Sequence, residues 1–170
     1  MKLIGISFII FSTASVGLRF AHAVKQRCDV IGQLILALRM LKSELLTHGT
    51  PFPEAFGVIA ASSQGSTAEF FASAAKTMAK KRWISPSDSL LLAEVHLVDL
   101  PEEDPVRKIV REFSLGIGKF DLDGQVKSID NTLSRLEFVL HTAEQDKSVR
   151  CRIYRSLGLC TGLALAILLA

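Results

Sequence analysis

The residues of this chain that could do chemistry are few and scattered. Gly116-Ile117-Gly118-Lys119 has the glycines and the lysine of a phosphate-cradling loop, but no Gly-Lys-Ser/Thr ending and no strand-like segment before it. Asp121-Leu122-Asp123-Gly124-Gln125 opens like a calcium loop, yet the ligand spacing and closing Glu are missing. Acidic residues capping the first turn of a helix account for it better. Glu102-Glu103-Asp104 is acidic enough to attract a metal, but adjacent residues do not share one helical face, so it reads as a solvated turn. His22, His48, His96 and His141 stand far apart, none in a nucleophile or metal array. Cys28, Cys151 and Cys160 form no CxxC pair and have no histidine at zinc-finger spacing. Three thiols, an odd number, suit a reducing compartment. There is no H-E-x-x-H and no G-x-S-x-G. The sequence therefore predicts no catalytic residue, no cofactor and no metal, hence not an enzyme.

Charge narrows the partners. Lys and Arg number 20 against 17 Asp and Glu, a net charge of +3. So small a surplus, without a concentrated basic face, argues against nucleic acid. Lys80-Lys81-Arg82-Trp83 is the densest basic patch. It could meet phosphates or lipid headgroups, and it also fits a solvated helix end. The chain has 170 residues, 49% of them hydrophobic and only 22% charged. Its mean hydropathy is +0.34. That excess is concentrated at the two ends, which excludes a simple soluble domain and a disordered chain as first readings.

Leu3–Leu18 is uncharged and rich in Ile and Phe. At ~1.5 Å per residue it covers about 24 Å as a helix, short for a bilayer unless Arg19 snorkels and the helix runs on through Val24. Ser156–Ala170 is a second uncharged run. Arg19, Lys25 and Arg27 flank the first on its inner side, and Lys147, Arg150, Arg152 and Arg155 flank the second. Basic inner flanks at both ends are what the positive-inside rule requires of a cytoplasmic middle. Gly158 and Gly162 have the small-xxx-small spacing that permits close helix contact. A cleaved signal peptide is the rival reading, with Ala21-His22-Ala23 as its cleavage site, and Arg19 interrupts it. We therefore expect an N-terminal transmembrane anchor over 1–22, a cytoplasmic helical bundle over 23–153 and a C-terminal anchor over 154–170.

The middle reads as helices throughout. Val30, Leu34, Leu38, Leu41 and Leu45 recur at steps of four and three, predicting a helix over Ala23–Leu46 that stops at His48-Gly49. Thr50-Pro51-Phe52-Pro53-Glu54 predicts a helix start with Thr50 as N-cap, Pro51 at the first position and Glu54 in the first turn. Ser66-Thr67-Ala68-Glu69 has the form of a capping box. Ser85-Pro86 and Asp104-Pro105 repeat the start signal before two further apolar runs. Leu122, Val126, Ile129, Leu133, Leu136, Leu140 and Ala143 trace an a/d seam on a helix from about Asp123 to Arg155 that runs toward the last apolar segment. The prediction is all-α: an antiparallel bundle of five or six helices flanked by two terminal transmembrane helices. Its first and last soluble helices are expected to be antiparallel neighbours.

With these segments in view, the chain resembles the stage III sporulation protein AB family over essentially its whole length. Lys2-Leu3-Ile4-Gly5 and the apolar run match the family's N-terminal anchor, and Thr50-Pro51-Phe52-Pro53-Glu54-Ala55-Phe56 looks like its T-P-L-P-E-A-hydrophobic signature. Gly116, Gly118, Asp121 and Gln125 resemble its paired L-G…L-G…D…Q segment, and Tyr154-Arg155, Gly158 and Gly162 resemble the start of its last membrane helix. Phe52, Phe56 and Ile117 stand where the family more often has Leu, which keeps the apolar character.

The resemblance implies a multi-pass protein of the mother-cell membrane at the forespore septum, part of a transenvelope complex. Its soluble part is similar to the helical cytoplasmic domains of the type II secretion and type IV pilus platform protein. By that analogy it would be a non-enzymatic scaffold joining a secretion-type cytoplasmic ATPase to other membrane proteins. Thr50, Pro51, Pro53, Glu54, Gly116, Gly118, Asp121, Gln125, Tyr154, Arg155, Gly158 and Gly162 are the candidate docking or structural residues. A membrane-associated regulator or sensor of sporulation is the alternative, and a ligand-sized cavity would point to it.

Overall fold

The computed structural model describes the backbone of residues 25–81 and 83–169, with side chains as far as 145. The N-terminal anchor expected over 1–22, with His22, lies outside the described residues, as does Arg82. So do the side chains of Tyr154, Arg155, Cys151 and Cys160, and the surroundings of Gly158 and Gly162. Among the described residues no helix is long and apolar enough to cross a membrane.

The described chain is all-α, with six α-helices: α1 over 25–43, α2 Phe52–Ser62, α3 Gly65–Lys80, α4 Pro86–Ala93, α5 Pro105–Gly116 and α6 Leu122–Leu169. It divides into two units. Asp29–Leu140 forms a helical bundle. Met1–Cys28 and His141–Ala170 make up the other unit, whose described part is helical.

Within the bundle the core follows the apolar stripes of the sequence. Ile31, Leu34, Leu38 and Leu41 of α1 are buried, as are Val106, Ile109, Val110 and Phe113 of α5 and Ile129, Leu133 and Leu136 of α6. Phe70 and Phe71 of α3 are both fully buried. Neighbours on a helix point about 100° apart, so α3 is covered on two sides. Their rings meet nearly edge-on at 5.0 Å, and Phe71 meets Phe56 of α2 at 5.8 Å. Each such side chain contributes about 2–3 kcal/mol on burial. The seam of α6 holds from Ile129 onward, whereas Leu122, its first member, is exposed at the bundle's end.

Charges on the surface register the first helix against the last. Arg39 pairs with Glu137 at 2.6 Å and Lys42 with Asp130 at 2.7 Å. As the number rises on α1 it falls on α6, so the two helices are antiparallel neighbours, as expected. Arg135 pairs with Glu112 and ties α6 to α5.

The helix ends divide into those the cap signals predict and those they do not. Ser85 caps α4, its Oγ accepting the Asp88 N–H at 3.0 Å. Asp104 caps α5, accepting the Val106 N–H at 2.9 Å. Gly49 ends the first helix at φ +60, after a last turn, Glu44–His48, that widens into a π-turn.

Two expected caps do not form. Helix α2 starts at Phe52, with Pro51 as its N-cap at ψ 146 and Pro53 in its first turn. The extended Pro51 delays the helix past Thr50, whose hydroxyl donates instead to Glu44 Oε2 at 2.7 Å. Helix α3 starts at Gly65, which takes φ +58 and brings the chain into the helix before Ser66. Ser66 therefore sits inside the first turn, its Oγ buried with no hydrogen-bond partner among the described residues, and the capping box does not form.

Candidate docking surface

The sequence-predicted residues fall in two separate turns of the bundle. Thr50, Pro51, Pro53 and Glu54 belong to the α1–α2 turn. There Pro51 Oxygen accepts the N–H groups of Glu54 and Ala55 at 3.1 and 2.9 Å. The Pro51 ring and Glu54 face solvent.

Gly116, Gly118, Asp121 and Gln125 build the α5–α6 turn. Gly116 closes α5, and Asp121 caps α6 by accepting the Gly124 N–H at 3.0 Å. The acidic residues here serve the helix start, as the sequence suggested. Gln125 is only 4% exposed and donates from Nε2 to the Phe120 carbonyl at 3.3 Å, while its Oε1 is buried with no partner.

Phe120 is held on a bed of glycine. A Cβ on Gly116 would meet the Phe120 ring at 3.6 Å, and one on Gly124 would stand 2.7 Å from the Phe120 Cβ. Phe120 is nevertheless 57% exposed, and Leu115 and Leu122 of the adjoining helix ends are also exposed.

The α3–α4 turn comes against this one. A Cβ on Gly118 would stand 3.1 Å from the Pro86 Cγ. Three residues before Pro86, the chain's one Trp, Trp83, is 82% exposed, with the Lys81 Nζ 5.8 Å from its ring centre. Lys80 and Lys81 are also exposed.

A further charged cluster was not read from the sequence. Glu94, 7% exposed, lies in the short 3-10 turn Glu94–His96 after α4. Its carboxylate takes a two-pronged contact from Arg111, with Nε and Nη2 both at 2.9 Å. That hydrogen bond, with the carboxylate's charge, raises the Arg111 pKa above its ordinary value. Arg107 donates to the carbonyls of Leu100, Leu97 and Glu94 at 2.9, 2.6 and 3.3 Å. The pair orders the irregular link between α4 and α5. Its signal was the i, i+4 spacing of Arg107 and Arg111, which puts both on one face of α5.

None of these groups forms a catalytic array, and among the described residues no three His, Cys, Asp or Glu side chains gather to hold a metal. What the bundle presents is shape, apolar surface and charge. A solved structure titled "Stage III sporulation protein AB (SpoIIIAB)" is similar to this chain, with a TM-score of 0.63 and 24% identity over 72% of this chain and 94% of that one. At that identity the likeness shows the fold. Among curated proteins, none matches. The sequence profile of the stage III sporulation protein AB family matches residues 2–170. With a match of that extent, the chain belongs to the stage III sporulation protein AB family.

Proposed function

We propose that the chain is a membrane-anchored scaffold of a sporulation-specific, secretion-like transenvelope complex, coupling a cytoplasmic ATPase to membrane components. In this reading residues 1–22 and 154–170 are the anchors and residues 23–153 the cytoplasmic bundle, at the mother-cell membrane facing the forespore. Family membership supports the sporulation context and the scaffold role. The candidate residues of the α1–α2 and α5–α6 turns act as structural supports and docking features, and Tyr154, Arg155, Gly158 and Gly162 serve the second anchor.

One observation carries the topology. The ion pairs Arg39–Glu137 and Lys42–Asp130 set α1 antiparallel to α6, so the chain enters and leaves the bundle at the same end. Two anchors in one bilayer require this arrangement, whereas opposite exits would need a long return segment.

The test is membrane fractionation of the full chain, protease treatment from each side of the membrane, and co-purification with the cytoplasmic ATPase of the complex. The expected result is a membrane-bound chain whose bundle is cut from the cytoplasmic side and which retains the ATPase. A bundle cut only from the opposite side, or a freely soluble mature chain, would overturn the reading.

A further inference from the structure

We propose that the end of the bundle where the α3–α4 and α5–α6 turns meet docks an acidic, apolar-bearing segment of a partner protein. The Gly118–Pro86 approach sets two turns against each other, one carrying Trp83, exposed with the Lys81 ammonium near its ring, and the other carrying Phe120, exposed on its glycine bed. Trp and other aromatic side chains with little conformational freedom are the usual anchors of protein interfaces.

Charge selects the partner. From Glu69 to Asp88 the sequence contains Lys76, Lys80, Lys81 and Arg82 and no acid between. Lys80, Lys81 and Lys119 make no salt bridge among the described residues. Asp88 and Asp121 are at this end too and keep their charge, but both are held against helix starts: Asp88 accepts the Ser85 hydroxyl at 2.7 Å, and Asp121 holds the Gly124 N–H. Asp123 lies in the first turn of α6, where the helix dipole stabilises its carboxylate. The cations are left to face outward.

Position favours protein over lipid. Helix α6 runs about 27 Å, at ~1.5 Å per residue, from Leu122 to the point where the chain leaves the bundle. The tip is therefore at the far end from both exits. The inference rests on the scaffold reading for that bilayer, but its chemistry stands on the bundle alone.

The chain carries its own reporter, since Trp83 is the single Trp. The full chain in non-ionic detergent is titrated with a synthetic amphipathic peptide of Glu and Leu, with a Lys and Leu peptide of the same pattern, and with phosphatidylglycerol vesicles. The expected result is a blue shift of Trp83 emission with the Glu peptide alone. Affinity should fall as salt rises, and at least ten-fold in a Lys80→Glu/Lys81→Glu variant whose helicity is unchanged. No shift, an equal shift with both peptides, or a shift with vesicles alone overturns the inference. Co-purification with the ATPase separates it from the scaffold reading. Loss of the ATPase in the Lys80→Glu/Lys81→Glu variant supports both. Equal retention by the variant and the native chain overturns this surface and leaves the scaffold standing. If neither retains it, the scaffold reading fails, and the peptide titration still decides the surface.

Discussion

Gly118 packs directly on Pro86, so closely that a methyl group on it would stand 3.1 Å from the ring, and it does so at φ +76. Two separate requirements thus fall on one residue. A side chain at this φ costs on the order of 1–2 kcal/mol, and crowding Pro86 adds to that. Gly118→Ala is expected to destabilise the protein by about 2 kcal/mol in chemical denaturation. A double-mutant cycle with Pro86→Ala should recover only the packing part, roughly 1 kcal/mol, because the backbone strain remains. Additive effects would show that the two turns do not bear on each other.

How much of this was legible in the sequence depended on whether the signal was local. The stripe of α1 and the later part of the α6 seam were readable because burial follows helical periodicity. Ser85 and Asp104 cap as expected, and the proline after each takes the first helical position. Thr50 and Ser66 failed for local reasons of another kind: an extended Pro51 moved one helix start later, and a left-handed Gly65 moved the other earlier. The Gly118–Pro86 and Glu94–Arg111 contacts join residues distant in sequence, so helical periodicity, which puts Arg107 and Arg111 on one face of α5, named neither partner. In the candidate site, the glycines and Asp121 were legible as turn-formers, whereas the exposed Phe120 and its nearness to the Trp83 segment were not.

The correction at Thr50 has a measurable consequence. At a true N-cap, aspartate serves as well as threonine. Here Thr50 donates to Glu44, so Thr50→Asp sets two carboxylates against each other. The expected loss is on the order of 1 kcal/mol at neutral pH. Adding Glu44→Gln, which removes one of the two charges, should restore the stability. Unchanged stability in the Thr50→Asp variant would restore the cap assignment.

Arg107 holds three carbonyls of the α4–α5 link with one planar fork. An ammonium is a point donor and does not span the three. Arg107→Lys is therefore expected to cost about 2 kcal/mol and to speed amide exchange over residues 97–104. Arg111, largely exposed, should tolerate the same exchange to lysine better, since it contacts only the Glu94 carboxylate. Equal effects at the two positions would refute the division of labour.

Thr67 offers the opposite sign. Its Oγ1 is buried without a partner in the first turn of α3. A buried hydroxyl with no hydrogen bond costs free energy that the unfolded chain, bonded to water, does not bear. Thr67→Val keeps the branched shape and removes the polar atom. Valine loses little in an α-helix relative to threonine, so propensity does not offset the gain. The variant is expected to be more stable by about 1 kcal/mol, seen as a higher denaturation midpoint with an unchanged slope. A destabilised variant would mean that the hydroxyl has a partner in solution, and Thr67→Ser, which keeps the hydroxyl, would then be the milder change.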